Sequence, residues 1–274
     1  MLVWISFTRK QINFSIPFGL SVAGLLTALE GLYLSNNTIE GALPSELANI
    51  ASLQELDVHS NELSGRLPTE LGVLENIVTI SLDQNAMRGP VPSEFGKLTT
   101  LLSLALHSNK LSSTLPSEIG LLRTLESFTV HQNVMIGTLP TELGELTSLQ
   151  VLSLAHNRFF GTVPQEVGGL RQLNNLGLSQ NDLTGRLPID LGSLSAMKYL
   201  LVQGNQMTGR LSSQLGLLTD LKVLSLGANL FSGPLPSEIG LATSLVNVEL
   251  SKNSVSGTIP TGKNSGVRRF CFLI

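Results

Sequence analysis

His59, Asp83, His107 and His131 occupy one register of this sequence, each 24 residues from the next. If the chain coils with that interval, the four side chains stack in a row. Imidazole titrates near pKa 6.5 when unperturbed, so such a row has three chemistries open to it. Asp83, His107 and His131 offer oxygen and nitrogen ligands to a metal ion. As titrating groups, the histidines form a pH-sensitive surface for a protein partner. As solvated side chains copied along with the interval, they do neither. Glu55 and Asp57 fall beside the row, and His156 falls in the adjoining column, so all four histidines of the chain are predicted to face out of one surface. Further along, Tyr199 and Leu201 lie in one predicted strand and point the same way, with Lys198, Lys222 and Lys252 nearby. There the acid and histidine set gives way to an apolar anchor in a basic setting.

The interval itself is what must position these groups. Ten asparagines, Asn37, Asn61, Asn85, Asn109, Asn133, Asn157, Asn181, Asn205, Asn229 and Asn253, recur every 24 residues. Around them runs the pattern L-x-x-L-x-L-x-x-N-x-L, followed by G-x-(L/I/V)-P. The first apolar position falls at Leu29, Leu53, Ile77, Leu101, Leu125, Leu149, Leu173, Met197, Leu221 and Leu245. The L-x-L segment alternates apolar and free positions, as a strand with one buried face does. The asparagine amide both donates and accepts, so it can serve backbone groups left unpaired where the chain leaves the strand. Glycine follows four residues later, where a tight bend is expected; Ser113 interrupts that column. Ser212 stands where the other nine repeats carry proline. An acid usually follows Pro-Ser or Pro-Thr, at Glu46, Glu70, Glu94, Glu118, Glu142, Glu166, Asp190 and Glu238, with Gln214 filling the gap. A carboxylate there meets the positive end of a short helical turn.

This pattern resembles the leucine-rich repeat, and the Gly-x-Leu-Pro segment narrows the resemblance to the plant-type subfamily. That subfamily is found in receptor-like kinase ectodomains, receptor-like proteins and polygalacturonase-inhibiting proteins. The resemblance implies an α/β solenoid, a right-handed superhelix of ten 24-residue repeats with a concave parallel β-sheet. It also implies a recognition module that takes a protein or peptide ligand on the concave face, in receptor-like signalling or defence, with a co-receptor kinase as a possible further partner. An inhibitor of a cell-wall hydrolase is the alternative. An ice- or polysaccharide-binding solenoid would need a more regular row of threonines or asparagines. The candidate ligand-binding residues are Glu55, Asp57, His59, Asp83, His107, His131, His156, Tyr199 and Leu201; no catalytic group, metal or cofactor is assigned. The resemblance implies an extracellular or cell-surface location.

Residues 1–28 read as a degenerate repeat or N-terminal cap, 29–260 as the solenoid, and 261–274 as a non-repeat tail too short for another coil. Arg9 and Lys10 precede an apolar run, but Pro17 interrupts it, so no clear signal peptide is expected. No apolar run reaches membrane-spanning length. With 20 acidic and 17 basic residues the net charge is -3, which offers no basic field for nucleic acid. The single cysteine, Cys271, excludes an internal disulfide, whereas relatives of this type carry paired cysteines in both caps. Cys271-Phe272-Leu273-Ile274 has the shape of a prenylation signal with an unusual last residue. Asn13-Phe14-Ser15 and Asn36-Asn37-Thr38 are glycosylation sequons.

Overall fold

The computed structural model describes residues 4–6, 28–258 and 269–271. They fall into two compact units, Met1–Met135 and Ile136–Ile274. Both are built from the same coil, and in both the coil begins with a three-residue strand whose middle side chain is buried. In the N-terminal unit the repeat strands are Gly31–Tyr33, Glu55–Asp57, Thr79–Ser81, Ser103–Ala105 and Ser127–Thr129. Neighbours pair in parallel with no slip, so that Glu55 opposes Thr79 and Thr79 opposes Ser103. The C-terminal unit repeats the arrangement with Val151–Ser153, Asn175–Gly177, Tyr199–Leu201, Val223–Ser225 and Asn247–Glu249.

Alternation decides which face is core. Leu56, Ile80, Leu104 and Phe128 are fully buried in the first unit, as are Leu176, Leu200 and Leu224 in the second. Both neighbours of each point away from the core. A period of 24 keeps every such residue above its equivalent, which makes register insensitive to the identity of the exposed side chains.

The remainder of each coil closes around the asparagine. Asn85 Nδ2 donates to the carbonyls of Val58, Leu82 and Asp83 at 3.1, 3.2 and 3.1 Å, while its Oδ1 accepts from Leu63 N at 2.9 Å. One amide therefore stitches its own turn to the preceding coil. Beyond the glycine, each coil carries a five-residue 3₁₀ turn such as Ser93–Lys97, preceded by proline in an extended conformation. Proline presets that entry and leaves no donor unpaired. The acid column stands in the first turn of these segments, as at Glu94. Where Ser212 replaces proline, its Oγ accepts from Gln214 N at 3.2 Å. Among the described 3₁₀ turns this is the one with a side-chain cap, and it is also the one whose first turn lacks an acid.

The glycine column has the conformation its sequence implies, with φ of +82° at Gly65 and +84° at Gly89. Ser113 adopts φ +75° at the equivalent position. A left-handed residue with a Cβ carries a cost of about 1–2 kcal/mol. Glycine removes that cost but frees the unfolded chain, which takes back a few tenths up to about 1 kcal/mol. Ser113→Gly is therefore expected to raise the denaturation midpoint of its unit by an amount equivalent to roughly 0.5 kcal/mol. A lowered midpoint would show that the serine contributes something besides its backbone.

Strands also lie outside the repeats. Trp4–Ser6 pairs in parallel with Gly31–Tyr33, and Arg269–Cys271 pairs in parallel with Asn247–Glu249. A segment after Pro260 too short for a whole coil thus still supplies a strand, because ladder pairing uses backbone groups and needs no repeat consensus. The readings of a signal segment and of the Asn13 sequon fall outside the described residues. Among the described residues, no helix is long and apolar enough to cross a membrane.

Candidate functional site

In the N-terminal unit the outward positions of the sheet carry the acid and histidine set. Each strand turns its first and third residues to the outward face, where they are half-buried apart from the buried Gly31, and the residue two further on returns to the same face after one more buried position. Tyr33, Glu55, Asp57, Ser81 and Thr129 take the strand places. His59, Asp83, His107 and His131 take the place beyond, in one column.

Side chains in neighbouring coils are in contact. The Tyr33 hydroxyl donates to Glu55 Oε2 at 2.5 Å. Partial burial, then the hydrogen bond and negative charge of Glu55, and finally the charge of Asp57, push the Tyr33 hydroxyl up from 10 to about 12. His59 Nδ1 lies 2.6 Å from Asp57 Oδ1, and Asn36 Nδ2 lies 3.2 Å from His59 Nε2. The tautomer that fits both contacts has Nδ1–H donating to the carboxylate and Nε2 accepting from the amide.

Asp83 is 6% exposed, and a carboxylate so far from water requires partners. Ser81 Oγ donates to its Oδ1 at 2.9 Å, and His107 Nε2 lies 3.3 Å from its Oδ2. On the other side, His107 Nδ1 is 3.2 Å from Thr129 Oγ1. The His107 and His131 rings stack with centroids 4.3 Å apart and planes 12° from parallel. Among the described residues, no group of three His, Cys, Asp or Glu side chains is arranged to hold a metal ion.

Along the expected row the side chains meet in three separate groups: Glu55 with Tyr33, Asp57 with His59, and Asp83 with His107 and His131. His156 is different. It lies in the C-terminal unit, exposed, at φ +53° immediately before Asn157. Every repeat has a left-handed residue there, so His156 occupies a bend position, not a strand-face position. In the same unit Tyr199 is 37% exposed and Leu201 half-buried at the two outward positions of one strand, with Lys198 and Lys222 exposed beside it. Next along this sheet, Glu249 turns back over Gly227, accepting from Gly227 N at 3.0 Å and Ser225 Oγ at 3.2 Å. A Cβ on Gly227 would stand 2.1 Å from that carboxylate.

Tyr33, Ser81 and Thr129 were not among the candidate ligand-binding residues. The signal was present in each case: one repeat period separates Asp57 from Tyr33 and from Ser81, and Thr129 occupies the same column. For the tyrosine the contact has a spectroscopic consequence. In a Tyr199→Phe background, Tyr33 is the remaining tyrosine, and its absorbance change near 295 nm is expected around pH 12 instead of 10. Because the folded value is raised, the associated stability is fully present below pH 10 and disappears as pH rises through about 12. Glu55→Gln should move the transition toward lower pH; an unmoved transition would leave the carboxylate without influence on the hydroxyl.

The Leucine Rich Repeat family matches residues 28–50, 52–74 and 148–170. No curated protein matches the chain. Among solved structures, a TDR receptor is 29% identical over 93% of this chain and 44% of its own, with a TM-score of 0.89. The Arabidopsis receptor kinase HAESA, solved with the peptide hormone IDA and the co-receptor SERK1, is 29% identical over 94% of this chain and 43% of its own, with a TM-score of 0.87. The chain thus spans less than half the length of these receptor structures. A plant ice-binding protein, 24% identical over 89% of this chain and 80% of its own with a TM-score of 0.74, shares the fold.

Proposed function

Because this chain is a plant-type leucine-rich-repeat protein, we propose that it is a recognition module whose N-terminal unit binds a basic or polar peptide on the outward face of its sheet. The observation that carries this reading is the set of side-chain contacts along this face: Tyr33 with Glu55, Asp57 with His59, and Asp83 with His107, whose ring stacks on His131. Side chains at outward positions are not required by the scaffold, yet here they are mutually oriented, with three carboxylates among them. HAESA, similar in fold and sequence, is solved with a peptide hormone, which supports a peptide over other occupants. Signalling would then require a co-receptor kinase or a kinase elsewhere in the protein, and the working location would be outside the cell. Tyr199, Leu201 and Lys222 form the competing surface, suited to an apolar or acidic partner; His156 is a subsidiary candidate at its bend.

The face carries the carboxylates of Glu55, Asp57 and Asp83, so affinity for a cationic peptide is expected to fall as ionic strength rises. A synthetic lysine- and arginine-containing decapeptide serves as the probe, titrated against the native chain, Asp57→Asn with Asp83→Asn, and Tyr199→Ser with Leu201→Ser. Loss of roughly tenfold in affinity is expected for the first pair and little change for the second, since tenfold corresponds to about 1.4 kcal/mol. If the second pair abolishes binding and the first does not, the histidine row is decoration copied with the repeat.

A further inference from the structure

The left-handed position before each ladder asparagine carries a polar side chain in most coils, and in the N-terminal unit these side chains bond along their own column. Ser60 Oγ donates to Gln84 Oε1 at 3.0 Å, and Ser108 Oγ donates to Gln132 Oε1 at 2.7 Å. Asn36 departs from this arrangement. It is exposed at φ +59°, a conformation that asparagine tolerates better than most residues, and its backbone is pinned by Asn36 N donating to His59 O at 3.0 Å. Its side chain meets the face column instead of the bend column. Asn36 Nδ2 lies 3.2 Å from His59 Nε2, on the ring whose Nδ1 meets Asp57 Oδ1 at 2.6 Å. The Asn36 amide nitrogen thus stands at the margin of the acid and histidine set.

Asn36 also begins Asn36-Asn37-Thr38, the one sequon among the described residues. The second asparagine of the sequon is shut away in the ladder: Asn37 is 8% exposed, and its Nδ2 donates to Leu34 O and Ser35 O at 2.9 and 3.1 Å. Asn36 is open to solvent, and its contact with His59 is an exposed one. A primary amide has two N–H groups, so a carbon substituent that replaces one hydrogen leaves the other to meet His59 Nε2. The folded coil can therefore keep this bend with Nδ2 substituted.

We propose that Asn36 carries an N-linked oligosaccharide that stands over His59 and Asp57 and closes that end of the outward face. In the modifying step Asn36 Nδ2 forms a bond to the anomeric carbon of an oligosaccharide held on a lipid diphosphate. The bond from that carbon to the diphosphate oxygen breaks, the lipid diphosphate leaves with the electron pair, and Nδ2 gives up one proton to a base of the transferase. Since Nδ2 is 3.2 Å from the imidazole, the first sugar ring begins at contact distance from His59, and Asp57 is the nearest carboxylate to be covered. A neutral glycan leaves the carboxylate charges in place, so its effect on a partner is steric. The proposal rests on the recognition reading above for the extracellular location and for the peptide, which the glycan restricts to Asp83, His107 and His131.

The test uses the full chain secreted from a eukaryotic host behind an added leader, with Asn13→Gln so that the Asn36 sequon alone remains. Intact mass before and after peptide:N-glycosidase treatment is expected to show a glycan, kept in Thr38→Ser and lost in Thr38→Ala, which retains the Asn36 side chain. An unmodified Asn36 overturns the proposal. Shielding is read without any peptide, from the rate at which diethyl pyrocarbonate modifies His59, with the exposed His156 of the other unit as internal reference. The glycan is expected to slow His59 at least about threefold relative to Thr38→Ala and to leave His156 unchanged. Equal His59 rates overturn the shielding. Trimming the glycan to one sugar with an endoglycosidase should speed His59 in a chain of unaltered sequence, which keeps the result from being read as unfolding of Thr38→Ala. The lysine- and arginine-containing decapeptide then separates this proposal from the reading beneath it. Affinity about fivefold higher for Thr38→Ala than for the glycosylated chain, in a ratio unmoved by salt, is expected of steric cover. Equal affinities would overturn the restriction on the peptide. If Thr38→Ala itself does not bind the decapeptide, the peptide reading fails, while mass and the His59 rate still decide the glycan.

Discussion

Asn133→Ala is expected to destabilise the N-terminal unit by about 3 kcal/mol or more. Asn133 is 8% exposed, and its Nδ2 donates to the carbonyls of Leu106, Val130 and His131 at 3.1, 2.9 and 3.3 Å. Its Oδ1 accepts from Leu111 N at 2.8 Å. Alanine removes all four contacts and supplies nothing in return, and each buried group left without a partner costs roughly 1–3 kcal/mol. No rotamer of a neighbouring apolar side chain can stand in. Because coils depend on their neighbours, loss at this rung should also weaken the adjacent turn that holds Leu111. Chemical denaturation measures the total, and amide exchange at Leu111 locates it. Asn76→Ala is the control: its amide makes an exposed bond to Ala51 O at 2.9 Å, for which a change under about 0.5 kcal/mol is expected. Equal midpoints for the two variants would refute the ladder as a source of stability.

Gly96→Ala is expected to cost about 2–3 kcal/mol, although the backbone at Gly96 is not in the left-handed region. At an unobstructed position with ordinary φ the same change stabilises by about 0.4–1 kcal/mol, so the sign of the effect is itself diagnostic. The obstruction is the next coil: a Cβ on Gly96 would lie 2.4 Å from the carbonyl oxygen of Glu118 and 2.9 Å from its carbonyl carbon. These are backbone atoms, which cannot rotate aside, and the coils would have to separate. Gly72 and Gly144 face Glu94 and Glu166 in the same way. Glycine recurs here in eight of the ten repeats from Gly72 through Gly168 to Gly216 and Gly240, but the first repeat carries Ala48. A methyl is thus compatible with the 3₁₀ turn itself. A thermal midpoint raised by Gly96→Ala would mean that the coils give way more easily than their contacts indicate.

By itself the sequence determined the coil. Periodicity identified each buried position from Leu29 to Leu245, the strand after it, the asparagine rung and the glycine bend, because those roles are set by distance along the chain and by residue chemistry. Even its irregularities were legible as positions: Ser113 is left-handed where glycine was expected, and Ser212 caps where proline was expected. Tertiary structure decided what the free positions do. The column before the asparagine is left-handed in every repeat, from Asn36 to Lys252, yet only Gly204 is glycine, so composition gave no sign of the bend and His156 was read as part of a face. Tyr33 bonding to Glu55, Asp83 meeting His107, and His107 stacking on His131 join residues 22 to 24 positions apart. A period places such residues on neighbouring coils but does not fix their rotamers. Contact between them depends on the spacing of the coils and the burial around each side chain, and these exist only once the sheet has formed.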